Sequence, residues 1–150
     1  MLAVLLLPEP FDALPADHPA RDLQRADGVV AVDPPRMSYG THSRLPGELA
    51  DALASLQARR LLRALDNQVA VVVLFDPRSY PLARGLLAIT GCELWYAAGA
   101  LEDPGSDRLR RRLTALDEQA RERSALRFTS TEPLWERLRD LEIDTRVSSR

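Results

Sequence analysis

Residues Val69 to Pro77 read VAVVVLFDP, and no other stretch limits the fold so tightly. Val69 to Phe75 is an unbroken apolar run rich in β-branched residues. A strand apolar on both faces must be covered on both faces, which is how a central parallel strand reads. Asp76 and Pro77 follow, a carboxylate cap and then a proline suited to a first helical turn. Ligands bind at the carboxyl ends of the strands in an open parallel sheet, so this run also points at the functional edge.

The rest of the chain alternates in the same way. Leu2 to Leu7, Val29 to Val32, Glu93 to Ala97 and Leu126 to Thr129 read as strands, with Ile143 to Val147 as a last short one. Helical patterns cover His18 to Ala26, Pro46 to Leu65, Ser79 to Ile89, Asp107 to Arg123 and Thr131 to Asp140. In the long helix Leu49, Leu53 and Leu56 form one stripe, while Leu61, Leu62 and Leu65 sit further round. Leu82, Leu86 and Ile89 share a face of the next, and Leu109, Leu113, Leu116 and Ala120 share a face of the helix from Asp107. Strands alternating with helices at this spacing imply right-handed βαβ units. The expected fold is α/β, a three-layer Rossmann-like sandwich with a mostly parallel sheet of five to six strands, built as one domain over 1–150.

Composition closes several functional classes. The 150 residues carry a net charge of -2, so no global field favours nucleic acid or an anionic membrane. The opening MLAVLLLPEP lacks a basic n-region, and its apolar run stops at Pro8, too short for a membrane span. A cytoplasmic location is the resulting expectation. Cys92 is the single cysteine, which excludes an internal disulfide and a cysteine-rich metal site. All 20 basic residues are arginine, so Schiff-base and phosphate-loop lysine chemistry has no residue to run on.

The first βα turn, PEPFDALPADHP, has neither G-x-G-x-x-G nor G-K-[ST]. It lacks the glycines that let backbone amides close on a phosphate, and no nucleotide cofactor is expected. Asp33 and Asp76 each end a strand and could share a proton or a metal. The simpler account is that each caps the turn after it through its Asp-Pro step, and no metal site is expected. His42, in the polar loop MSYGTHSR, has no local carboxylate to orient it as a base; His18 is given no role. Cys92 follows Gly91 at the amino end of a strand and reads as a buried structural thiol. Trp95 and Tyr96 read as core, with a sugar-stacking platform as the alternative. Arg108, Arg110, Arg111 and Arg112 lie opposite the leucine stripe, with Asp107, Asp117 and Glu118 near, and read as a solvated face. Thr129, Ser130 and Thr131 end the fifth strand, where they cap a helix or hold an anion.

Together the segments VVAVDPP (Val29 to Pro35), VVLFDPRSYPLARGLL (Val72 to Leu87), ELWYAAGALED (Glu93 to Asp103) and LTALDEQARERSALRFTSTEPLWERLR (Leu113 to Arg139) form a pattern. It resembles the N-terminal, acceptor-side domain of bacterial glycosyltransferases of the GT-B fold, family-4-like and of the teichuronic acid biosynthesis type. The V-D-P-P step, the P-L-A helix and the strand ending in T-S carry the resemblance. The chain departs from that family where its fourth strand commonly ends in an acidic step. Here it reads Trp95-Tyr96-Ala97-Ala98-Gly99, leaving Glu102 or Asp103 to supply an acid. The family also continues into a donor-binding second domain, and this chain ends at Arg150, where the linker to that domain would begin.

The resemblance implies a glycosyltransferase-like N-terminal domain that acts as a non-catalytic binding or regulatory module, inactive alone. Two alternatives stay open: the acceptor-binding subunit of a split glycosyltransferase, and an unrelated small α/β enzyme on the same superfold. The expected ligand is a sugar or phosphate-bearing acceptor, and the expected partner is another protein or a second copy. The site expected at the carboxyl edge comprises Asp33, Asp76, Arg78, Ser79, Tyr80, Ser130 and Thr131.

Overall fold

A computed structural model describes residues 2–8, 10–18, 20–21, 28–33, 47–65, 68–99, 103 and 105–128. The strands are β1 (Leu2–Leu6), β2 (Val29–Val32), β3 (Val69–Leu74), β4 (Glu93–Ala97) and β5 (Leu126–Phe128). The helices are α1 (Gly47–Ala64), α2 (Tyr80–Thr90) and α3 (Asp107–Arg123). Short 3-10 turns occupy Phe11–Ala13 and Pro77–Ser79. The helix expected from His18 is seen only at Ala20 and Arg21, and the helix from Thr131 and the strand from Ile143 lie outside the described residues.

All five strands are parallel, in the order β2-β1-β3-β4-β5. This is one of the two common doubly wound orders. The apolar run is its middle strand. Val72 pairs with Val4 on one side and Leu94 on the other, and Val73 with Leu5 and Trp95. Val71, Val72, Val73 and Leu74 are completely buried.

Alternation along the strands splits the interior into two cores. Val4, Leu6, Val72, Leu74, Leu94 and Tyr96 pack under the three helices, against Ala58, Leu62, Leu86, Leu116 and Ala120. Ala3, Leu5, Val71, Val73, Trp95 and Phe128 pack on the opposite face, against Leu14 and Ala20. Right-handed crossovers dictate this division. The chain steps from β1 to β2 in one direction, then reverses toward β3, β4 and β5. The connection after β1 therefore covers one face and α1, α2 and α3 cover the other. Among the described residues no helix is long and apolar enough to cross a membrane.

Helix ends follow local chemistry. The Ser106 hydroxyl accepts from the Leu109 amide at 3.2 Å and starts α3. Gly91 ends α2 at φ 67°, in the left-handed region where only glycine is unstrained.

Two leucine stripes pack differently from expectation. Leu82 and Leu86 are buried, but Ile89 is exposed. On α1 the buried stripe is Ala54, Ala58 and Leu62, while Leu49 and Leu56 face outward. The reason is the close approach of α1 and α2. A Cβ built on Gly85 would lie 3.0 Å from the Ala58 Cβ and 3.4 Å from the Ala54 carbonyl oxygen. Small residues set that spacing, and the leucines cannot enter it. Gly85→Val is expected to force the helices apart and cost about 1–3 kcal/mol, read as a lower denaturation midpoint at unchanged slope.

Candidate functional site

The reversal of direction places the topological switch point at the carboxyl ends of β1 and β3. Three loops meet there. The loop after β1 runs through the Phe11–Ala13 turn, β2 leads into Asp33, and β3 leads into Phe75 and Asp76.

The first loop is held by two side chains from elsewhere. Asp33 accepts from the Phe11 amide at 3.1 Å. The Arg21 guanidinium donates to the Leu14 carbonyl at 2.9 Å and 2.5 Å and to the Pro15 carbonyl at 3.0 Å. Its carbon also lies 5.3 Å from the centre of the Phe11 ring. A glycine-rich turn would leave its amides for a phosphate; here a carboxylate takes the Phe11 amide. Asp33 therefore bonds across to a neighbouring loop; the turn that it precedes, 34–46, lies outside the described residues. Arg21 was not recognised in the sequence, where it is one arginine among 20.

The second loop behaves as its Asp-Pro step predicts. Asp76 is extended, and its Oδ1 accepts from the Arg78 amide at 2.9 Å, starting the Pro77–Ser79 turn. The same carboxylate grips the Arg78 side chain, with Nε 2.9 Å from Oδ2 and 3.0 Å from Oδ1, and Nη2 2.5 Å from Oδ2. The Arg78 charge is thus compensated by Asp76, although the guanidinium is still well exposed. Ser79 and Tyr80 are buried, and Tyr80 belongs to the core beneath the helices. Ser130 and Thr131, like His42 and Glu102, lie outside the described residues. The structure therefore brings Asp33, Asp76 and Arg78 to the edge and turns Ser79 and Tyr80 inward.

Two aromatic contacts line the opposite side of the Phe75 turn. The His18 ring meets Phe75 edge-on at 4.9 Å, and Phe75 meets Phe128 at 6.3 Å. The His18 Nδ1 accepts from the Ala20 amide at 3.1 Å. His18 so packs at the site edge, a placement that no local pattern marks.

A polar network lies beside this edge, inside the helical layer. The Tyr96 hydroxyl donates to Asp117 Oδ1 at 2.6 Å, and the Arg121 Nε donates to Asp117 Oδ2 at 2.9 Å. Tyr96 is 1% exposed and Asp117 8% exposed, so both are core groups. Burial, then the hydrogen bond to Asp117, holds the Tyr96 phenol far above the ordinary tyrosine range. It is a fixed donor, not a base. Asp117, expected beside the solvated arginine face, lies on the buried side of α3. The signal was present, since Asp117 follows Leu113 by four and precedes Ala120 by three.

The remaining candidates are structural. Trp95 is buried, and its indole donates to Glu93 at 3.3 Å. Cys92 is only partly buried, against the expectation of a fully buried thiol, because it precedes β4 at the sheet rim; desolvation still raises its pKa. Arg110 joins Asp103 and Asp107, each at 3.0 Å, on an exposed surface. The Gly105 amide, then Arg110, holds the exposed Asp103 carboxyl below the ordinary carboxylate range. Asp103 therefore stays ionised and cannot serve as a proton donor near neutral pH. Among the described residues no group of three His, Cys, Asp or Glu side chains could hold a metal ion. No family model matches the chain, and no curated protein or solved structure is significantly similar to it.

Proposed function

We propose that this chain is a non-catalytic binding module of the glycosyltransferase-like first-domain type, cytoplasmic and bacterial. Its ligand is a sugar or a phosphate-bearing acceptor, held at the carboxyl edge by Asp33, Asp76 and Arg78. The observation that carries the reading is the state of the polar groups at that edge. Asp33 holds a loop amide, Asp76 caps a turn and pairs with Arg78, and Asp117 is satisfied by Tyr96 and Arg121. Groups already engaged this way favour recognition over proton transfer, which needs a base within reach of a substrate proton. The Asp76–Arg78 pair presents both an acceptor and a fork of donors, a combination that suits hydroxyls and phosphate oxygens.

Incubating the pure chain with a panel of nucleotide sugars, with and without simple sugar acceptors, tests the non-catalytic part. No release of nucleotide above the buffer blank is expected, and robust hydrolysis or transfer would overturn it. Titration with hexose 1-phosphates, followed by shifts in the amide resonances, tests the binding part. Shifts should centre on residues 33 and 75–79 and vanish in Arg78→Ala. Loss of that exposed pair is expected to change stability by less than about 1 kcal/mol, so unfolding curves of the two proteins should nearly coincide. Shifts confined to the amino edge near Cys92 would place the ligand elsewhere and refute the assignment.

A further inference from the structure

Among the described residues, the outward stripe of α1 is exposed. Leu49 is 53% exposed and Leu56 46% exposed, and Leu53 lies half-buried between them. Their spacing of four and three continues into Arg60 and Arg63, so one helical face carries leucines in its first half and arginines in its second. The stripe lies opposite Ala54, Ala58 and Leu62, which are already packed on the body of the domain. It is therefore turned away from the described body of the domain.

Charge along α1 is segregated in the same sense. The first half, 47–55, contains Glu48 and Asp51 and no cation; the second half, 56–64, contains Arg59, Arg60 and Arg63 and no anion. Among the described residues no ion pair involves Arg59, Arg60 or Arg63, and all three are exposed. We propose that α1 is a homodimer interface, in which two copies of this chain pair their α1 helices antiparallel about a two-fold axis near Leu56.

The geometry selects this occupant and this orientation. An isologous contact must be self-complementary, and a helix with an acidic apolar half and a basic half is complementary to itself only when reversed. With Leu56 against Leu56 of the second copy, Leu49 lies level with Arg63, and Leu53 with Arg59, one residue from Arg60. The alkyl stems of those arginines cover the leucines while the guanidinium groups reach the rim. Glu48 falls one residue, about 1.5 Å, from the level of Arg63. A parallel pair would set Arg60 against Arg60 and Arg63 against Arg63, like charges at the closest approach. The 18 residues of α1 span about 27 Å, so the contact is small and the dimer should be weak and exchanging. This inference does not depend on the sugar-binding reading.

Sedimentation of the full 150-residue chain over a range of concentrations tests it. A reversible monomer–dimer equilibrium is expected, with dissociation constants on the order of tens of micromolar. Leu56→Asp should raise the dissociation constant by at least about tenfold while leaving the circular-dichroism melt unchanged. Glu48→Arg and Arg63→Glu should each weaken self-association, and an equimolar mixture of the two should restore a dimer, because both cross pairs are then opposite in sign. A monomer at every concentration overturns the proposal and leaves the stripe to another occupant. A dimer indifferent to Leu56→Asp, or charge variants that fail to rescue each other, overturns it as well.

Discussion

Val73→Asp should abolish cooperative folding. Val73 lies in the middle strand, paired to Leu5 and Trp95 on its two sides, and has no exposed surface. Its side chain projects into the core formed with Ala3, Leu5, Val71, Trp95 and Phe128, an apolar cluster with no charged member among the described residues. A carboxylate placed there must stay ionised without a counter-charge or take up a proton, and either costs several kcal/mol. Typical domains hold only about 5–15 kcal/mol in total, so the loss approaches the whole stability. The expected measurement is an unfolding curve without a sigmoidal transition, and poor soluble yield. Arg127→Asp on the exposed face of β5 makes the control, with a change within about 0.5 kcal/mol. A soluble Val73→Asp protein with a normal transition would mean that this strand is not central.

Much of that fold is legible in the sequence, because burial on both faces leaves a plain mark. Residues 71–74 have no room for a polar side chain, and the sequence supplies none. The end of α2, the Pro77–Ser79 turn and the start of α3 are equally plain, since Gly91, the Asp-Pro step and Ser106 act through local backbone chemistry. Strand order is different. Whether β2 lies outside β1 or between β1 and β3 depends on long-range packing that no local pattern encodes. The direction in which α1 turns its leucines also escaped periodicity. Hydrophobic spacing shows that two stripes exist, but only the close approach at Gly85 decides that the alanine stripe goes inward.

The candidate site was legible where one residue acts on its own neighbourhood. Asp76 caps the turn it precedes, and the spacing to Arg78 is enough to foresee that. Asp33 and Arg21 act on loops 22 and 7 residues away, and such partners are invisible to local reading. Ser79 and Tyr80 follow Arg78 directly, yet they turn inward. The short Pro77–Ser79 turn rotates successive side chains, so adjacency in sequence does not keep residues on one surface. Asp117 shows the opposite failure. Its position on the helical wheel is apolar, and a carboxylate in such a position is a demand for partners rather than a surface charge.

Asp117→Ala is therefore expected to be the costliest change among the charged residues of α3. It leaves the Tyr96 hydroxyl buried with no acceptor and removes the Arg121 partner. Arg121 is partly exposed and can turn to water, so most of the penalty comes from the phenol. The expected loss is about 2–3 kcal/mol, roughly 6–10 °C in melting temperature for a domain of this size. Asp117→Asn keeps an acceptor for Tyr96 and should cost about half as much. An independent readout comes from alkaline pH. The Tyr96 phenol stays protonated in the folded protein well above the ordinary tyrosine value of about 10. The unfolded chain releases that proton near pH 10, so the unfolded state binds fewer protons there. Stability from this group is complete below pH 10 and falls above it by up to about 1.4 kcal/mol per pH unit. With no lysine in the chain, few groups titrate in that window, and Cys92 begins its own decline lower, near pH 9. Tyr96→Phe should remove the fall above pH 10 and spare the part due to Cys92. Equal slopes in wild type and Tyr96→Phe between pH 10 and 11 would mean that Tyr96 is not held protonated by its burial and its bond to Asp117.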